Sequence, residues 1–414
     1  MSAPDVVIIG AGAAGIGAGM ALKKSGVSFV IVEGADRVGG RALTDTTSLG
    51  VAWDHGCHWM HCADENPLVA MADRFGARYD KRNRDDQFAV WQGGAFATSD
   101  ALSAADAAVT RAFEAIEAAG RKALDVPIPD VLPDAGQWTG GVDCILALMS
   151  GDVPRDVSAA AYADYVDTDV NWPVLSGYGD LITRMAAGLP VRTGIRVSRI
   201  DQQADGVRVE TDGGPIEARA AIVTASTNVL TSGNIGFGAG PACDLVQQLE
   251  HVPCGAYEKV AFALDTLPEM ARDKVFINVD PGNGIPAISF QVMDHDQPLL
   301  IAHFAGDIAR ELSTAGAAAM TDFATGHMTT AFGSDVARTI RASAVTNWTQ
   351  NPMVQGSYSH ARPGYAQLRR DLIAADTGTV AFAGEAFSTR WQATAHGAWQ
   401  SGQDVAARIA AELG

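Results

Sequence analysis

Val6, Val7, Ile8 and Ile9 form an unbroken apolar run with no polar alternation, the pattern of a parallel strand buried on both faces. Glycines at 10, 12 and 15 follow, and the spacing predicts a helix that runs to about Ser25. Phe29–Val32 is a second strand of the same kind and leads into Glu33. Between about residues 64 and 175 the chain turns Ala-rich and is expected to be mostly helical, with breaks at Pro127, Pro129, Pro133 and Gly140-Gly141. Strand patterns return at 191–200, 207–211 and 220–224, separated by turn signals at Asp205-Gly206 and Asp212-Gly213-Gly214. Residues 257–304 are again strand-rich, and 313–332 predicts a helix. Residues 379–383 predict a strand, followed by a Gly384-Glu385 turn and a helix over Ala395–Leu413.

This order of elements predicts an α/β fold with a Rossmann-type dinucleotide domain built from 1–63, 177–253 and 356–414. A discontinuous α+β domain for substrate, 64–176 and 254–355, is expected beside it. A chain of 414 residues is long enough for two such cores. Its 48 acidic and 30 basic residues give a net charge of −18, which repels nucleic acid and anionic membrane surfaces and attracts small cations. The five cysteines, at 57, 62, 144, 243 and 254, are odd in number and scattered; a reducing compartment, the cytoplasm, is therefore expected. Residues 6–22 carry no charge, but the preceding Met-Ser-Ala-Pro-Asp has no basic residue and the glycines make a poor membrane span. The sequence leaves the oligomeric state open, a homodimer included.

Gly10-Ala11-Gly12-Ala13-Ala14-Gly15 has the G-x-G-x-x-G pattern, and its place between strand and helix gives that pattern meaning. Gly10 permits the tight turn, Gly12 lets the backbone beside Ala14 approach a pyrophosphate, and Gly15 brings helix against strand. Glu33, at the end of the second strand, is positioned to accept hydrogen bonds from ribose hydroxyls and disfavours a 2′-phosphate. NAD and FAD both satisfy these features. The stretch Gly34-Ala35-Asp36-Arg37-Val38-Gly39-Gly40-Arg41 favours a flavin dinucleotide, because Arg37, Arg41 and the Gly39-Gly40 pair can approach pyrophosphate and ring from the opposite side.

That stretch, "EGADRVGGR", resembles the second signature of the flavin-containing amine oxidases, the family of monoamine oxidases, polyamine oxidases and lysine-specific histone demethylases. "GAYEKVAFALD" at 255–265 resembles the segment with the family's active-site lysine, and "NW" followed by "QGSYS" at 355–359 its substrate-side turn. "FAGEAFSTRWQATAHGAWQSG" at 382–402 resembles its C-terminal flavin motif. The resemblance implies a glutathione-reductase-like FAD-binding domain and places Gly384 and Glu385 near the ribityl-phosphate. It sets the N–H groups near Ala395 and His396 against the reduced ring and the backbone of Val197 against adenine. Ser357 stands where monoamine oxidases carry the cysteine joined to FAD, which implies non-covalent FAD.

For the chemistry, the resemblance implies that Lys259 holds a water against flavin N5 or assists oxygen reduction. It makes Tyr358 one wall of an aromatic cage and Thr394 the second wall, while His61 matches a histidine that contacts the amine in several polyamine oxidases. Alternation in the strand 257–264 sets Val260, Phe262 and Leu264 on one face and Tyr257, Lys259 and Ala261 on the other. An exposed strand lysine, a core tyrosine and a satisfied core histidine remain the plain alternatives. Cys57, His58, His61 and Cys62 lie at metal-ligand spacing but lack a distant second pair, so no metal is expected. The implied activity is oxidation of an amine, with dioxygen as acceptor. An L-amino-acid oxidase, with Arg82 or Arg84 holding the carboxylate, another FAD-dependent desaturase or oxidase of the same fold, and a non-catalytic FAD-bound interaction protein are the alternatives.

Overall fold

The computed structural model describes residues 3–82, 87–293 and 298–414. Its first sheet is parallel and five-stranded, in the order Val380–Phe382, Ala220–Val223, Val6–Ile9, Phe29–Val32, Val191–Arg192. The three inner strands are apolar throughout and almost wholly buried, because helices cover one face and a second sheet with further helices covers the other. On one face the helix Ala13–Ser25 packs against the final helix, Ala395–Leu413. Glycine permits their close approach: a Cβ at Gly17 would stand 2.4 Å from the Trp399 carbonyl oxygen, and one at Gly402 2.0 Å from that of Ala14. The two ends of the chain therefore meet on one side of one sheet.

The stretch 191–200 divides instead of forming a single strand. Val191–Arg192 edges the parallel sheet, while Val197–Gln203 joins Gly206–Thr211, Ile216–Ala218 and Gly236–Phe237 in a four-stranded sheet. Gly194, at φ +67°, turns the chain between them, and the Gly194 and Ile195 N–H groups donate to the carbonyls of Ala35 and Glu33.

The third sheet has seven strands, in the order Ile340–Val345, Tyr257–Leu264, Leu299–Ala305, Ile288–Met293, Phe276–Asp280, Phe88–Gln92, Ala95–Phe96. The last two correct the helical expectation for 64–175. Gly93 and Gly94, at φ +61° and +91°, close a two-residue hairpin, a signal outweighed by the surrounding alanines. The helix expected over 313–332 likewise divides, at Gly316 (φ +101°), into Asp307–Ala315 and Ala317–Phe332. Among the described residues, no helix is long and apolar enough to cross a membrane.

Alternation gives this sheet two unlike faces. Val260, Phe262, Ile277, Val279, Phe290 and Leu300 point into a core shared with Ala317–Phe332. The opposite face presents Tyr257, Lys259, His303, Ser289, Gln291, Asn278 and Asp280, and it floors a cavity. Register aligns Lys259 with His303, His303 with Ser289, and Ser289 with Asn278, a polar row running across four strands.

Candidate active site

One continuous cavity of about 1320 Å³ runs from the first glycine loop to the seven-stranded sheet. Pockets for one small ligand are roughly 300–1,000 Å³, so this space suits an extended cofactor together with a second molecule.

At the glycine end the geometry is mainly backbone. Gly10 stands at φ +102°, and a Cβ there would meet Thr224 Oγ1 at 2.5 Å. A Cβ at Gly15 would lie 1.9 Å from the Gly10 carbonyl oxygen, so Gly15 seats the helix on the strand and does not itself line the cavity. Gly12, Ala13 and Ala14 do line it. Gly12 pairs with Gly39, whose N–H donates to the Ala11 carbonyl at 2.8 Å, joining the two glycine loops. No side chain caps the helix at Gly12, which leaves its first-turn N–H groups for an anion.

Glu33 lines the cavity, but its carboxylate also ties the loops together: Oε2 accepts from the Ala11 N–H (2.7 Å) and Oε1 from that of Ala35 (2.8 Å). Each oxygen keeps a lone pair for a hydroxyl. Arg37 donates to the Val38 and Gly40 carbonyls and thereby stiffens its own loop.

Two charged residues expected at the cofactor, Arg41 and Glu385, both line the cavity and pair with one another. Arg41 donates to the Ser357 carbonyl and to Glu385 Oε1 (2.9 Å), so its charge is already paired. The Glu385 carboxylate accepts from Ser359 Oγ (2.6 Å) and the Ala393 N–H (3.2 Å) as well. Burial pushes the Glu385 carboxyl up, but the Arg41 and fully buried Arg369 guanidiniums outweigh it and hold the group below its ordinary value. Arg369 also donates to Ser359 Oγ and to the Ser359 and Ala386 carbonyls. Sequence reasoning missed Arg369, which nothing local distinguishes from a surface helix arginine.

Val197, Gly384 and Ala395 also line the cavity. Ala395 begins the final helix, so a second helix N-terminus faces the same space; Thr394 takes the Gly397 N–H, while the N–H groups of Ala395 and His396 have no partner earlier in the helix. Two such termini, a carboxylate for hydroxyls and a glycine-lined approach fit a flavin dinucleotide. Ser357 lines the cavity, and its hydroxyl donates to the Gly151 carbonyl at 3.3 Å.

At the sheet end, Lys259 is buried, and its Nζ donates to the carbonyls of Asp54 (3.0 Å) and Gly56 (2.6 Å). This excludes an exposed strand lysine. One of its three donors has no such partner and is left for the cavity. Burial lowers the ammonium's pKa to about 8, although Asp54 opposes the shift. Asp54 is itself fixed by Thr44 Oγ1 (2.6 Å), His58 Nδ1 (2.8 Å) and the Tyr178 N–H (3.0 Å).

Tyr358 faces the cavity, its hydroxyl donating to the Leu148 carbonyl, and its ring centroid is 6.0 Å from that of Tyr257. Tyr257 was a residue on the lysine face with no assigned role; it forms an aromatic wall with Tyr358 and shares a 2.6 Å hydrogen bond with His303 Nδ1. Thr394 lines the cavity, but its hydroxyl is spent: it donates to the Trp391 carbonyl (2.7 Å) and caps the final helix by accepting from the Gly397 N–H (3.0 Å).

His61 lines the cavity and meets Asn171 Oδ1 through Nδ1 at 2.7 Å. Burial lowers its pKa, more than the Asn171 bond raises it, and keeps the ring neutral. Its neighbours diverge. His58 goes to Asp54, and the Cys62 thiol donates to the Val166 carbonyl. Among the described residues, no three His, Cys, Asp or Glu side chains gather as a metal site. Glu258, also missed, is fully buried and accepts from the Trp348 and Thr349 N–H groups (3.1 and 2.8 Å), which explains the Asn-Trp signature: the carboxylate pins the loop that carries Trp348 to the cavity wall. Arg82 lines the cavity but is exposed and paired with Asp80 at 2.6 Å; Arg84 lies outside the described residues.

Comparison with known proteins gives the family. The profile of the family "flavin containing amine oxidoreductase" matches residues 13–135 and 136–410, and the chain belongs to that family. It is a flavin-dependent oxidoreductase acting on CH–NH or CH–NH2 groups. It is 24% identical to polyamine oxidase 4 of Oryza sativa subsp. japonica, over 97% of this chain and 87% of that protein. Mouse lysine-specific histone demethylase 1B is 26% identical over 98% of this chain, which spans only 53% of that relative's length. Among solved structures, cyclohexylamine oxidase from Brevibacterium oxydans IH-35A superposes with a TM-score of 0.83 at 21% identity over all of both chains. A redesigned putrescine oxidase follows at 0.80 and 20% over 99% of each. At those identities the structural likeness speaks for the fold alone.

Proposed function

We propose that the protein is an FAD-dependent amine oxidase that binds FAD non-covalently and oxidises a primary or secondary amine, polyamine-like amines included. The observation that carries this is a single cavity lined by residues at two helix N-termini and by the buried Lys259 with its Tyr257–Tyr358 wall. Bound FAD would supply the redox chemistry, an acceptor for the hydride that leaves the amine's α-carbon and a centre that dioxygen can reoxidise with release of hydrogen peroxide. The resulting imine hydrolyses to an aldehyde or ketone.

The chain's own groups have distinct parts. Gly10, Gly12, Ala14, Glu33 and the Gly39-Gly40 turn hold the dinucleotide, with Gly15 and Arg37 shaping the loops. Val197 faces the adenine end; Gly384, Ala395 and the Arg41–Glu385 pair support the flavin end. Hydride loss requires the amine lone pair, and the rings of Tyr257 and Tyr358 favour the neutral amine by excluding water. Lys259, charged below pH 8 or so, keeps its third N–H for a water or for reducing oxygen. His61 is a neutral partner for the amine, and Thr394 contributes shape through its methyl group. The segments 1–63, 177–253 and 356–414 form the FAD domain and 64–176 with 254–355 the substrate domain of a cytoplasmic enzyme.

Anaerobic mixing with monoamines, diamines, polyamines and amino acids, followed by bleaching of flavin absorbance, tests this reading. Amines are expected to bleach the flavin. Bleaching by amino acids alone would replace the amine reading with the amino-acid oxidase, which the paired state of Arg82 does not favour.

A further inference from the structure

Resting on the amine reading, we propose that Asp280 receives a second ammonium group of the substrate, which makes the preferred class a linear diamine or polyamine. Asp280 ends the strand Phe276–Asp280, is buried at 8% exposure and lines the cavity. Its Oδ1 accepts from the Gly282 N–H at 2.9 Å and caps the following turn. Among the described residues its Oδ2 accepts only a long bond from the Gln92 amide, 3.3 Å, and Gln92 is itself a neutral cavity-lining group. No Lys, Arg or His among the described residues forms an ion pair with it. A buried carboxylate is costly unless a cation accompanies it. The cavity is the route by which one can arrive.

The sheet sets the distance. Tyr257 pairs with Ala305, and continuing the printed registers of the next two strands brings the same row to Asp280. Three strand spacings separate the two residues, about 14 Å between Cα atoms. On the row beside this one the floor offers Ser289 and Asn278, which hydrogen-bond without adding charge. A chain whose first nitrogen lies at the tyrosine wall therefore reaches Asp280 only when it is long. Gly140, in the first turn of the helix Thr139–Ser150 rather than at the break expected there, leaves room for Oδ2: a Cβ there would stand 2.5 Å from it. Its neighbour Gly141 lines the cavity and would point a side chain into open space.

The test compares α,ω-diamines with n-alkylamines of equal carbon number on the FAD-loaded enzyme. In the wild type the diamine-to-monoamine ratio of kcat/KM should rise with chain length. Asp280→Asn retains an oxygen for the Gly282 N–H while removing the charge, and should lower that ratio roughly 30-fold for long diamines. Gly141→Leu, which leaves the carboxylate in place, should penalise long substrates more than short ones of either kind. A ratio that is flat with length in the wild type, or one that Asp280→Asn leaves within about twofold, overturns the assignment while amine oxidation stands. Failure of every amine to bleach the flavin overturns both.

Discussion

The two ends of the cavity are built by opposite means. At the glycine end the contacts are backbone groups set by turns and helix starts within residues 10–41, and side chains such as Glu33 and Arg37 mostly brace those loops. At the sheet end the working groups are side chains, brought together from 257–259, 303, 278–280 and 358 by strand register and by a loop pinned on Glu258. Backbone geometry tolerates almost no added atom but asks little of side-chain identity. The sheet face tolerates change in shape while depending on the charge and hydrogen bonding of single residues.

Substitutions at each end should separate these modes. The largest stability loss is expected from Gly15→Ala, whose Cβ would fall 1.9 Å from the Gly10 carbonyl oxygen; the helix must shift off the strand, at a cost of about 3 kcal/mol. Chemical denaturation should register that loss, and purified variant should be depleted in flavin absorbance. Retention of both would show that the loop is looser than its packing implies.

Lys259→Met should leave the flavin bound but slow turnover on the order of 100-fold, about 2.7 kcal/mol of barrier. Because burial places the ammonium's pKa at about 8, its charge is lost as pH rises through that value. Wild-type turnover with oxygen should therefore fall across that limb, and the limb should vanish in the variant. Stability carries the opposite sign: between about 8 and the ordinary 10.5, the unfolded lysine binds more protons than the folded one, so its contribution grows more favourable as pH rises. A persistent limb in Lys259→Met would assign the ionisation to another group.

The smallest effect is expected where the two ends meet. Thr394→Val removes the hydroxyl that accepts the Gly397 N–H but keeps the methyl group, and should cost about 1 kcal/mol, read as a lowered melting temperature of the holoenzyme. Its effect on KM should be slight, since the hydroxyl is committed to the helix cap. A large KM change with unaltered melting would restore it as a substrate contact.

Much of the glycine end was legible because its determinants are local. Strand, turn, helix and Glu33 fall within one short stretch, and each glycine answers a steric demand made by a neighbour in that unit. Lys259 stood out through its alternation and its resemblance to a known signature. Tyr257 had the same alternation, but only the approach of Tyr358 from another loop gives it a partner. The helical expectation for 64–175 missed the strand at Phe88–Gln92, which is stabilised by pairing with Phe276–Asp280, nearly 190 residues later. Arg41 and Glu385 each carried an expected cofactor role; neither hinted that the two would neutralise one another across the fold.

The sequence alone determined the parallel strands, the glycine turns, the closing helix and the lysine-bearing strand, because each depends on side-chain size, periodicity or φ within a few residues. Tertiary structure decided which charges are paired, which hydroxyls are spent, and which polar face closes over the cavity. Those outcomes depend on burial and on partners distant in the chain, and the energy of a charge is settled by what surrounds it rather than by the residues beside it in sequence.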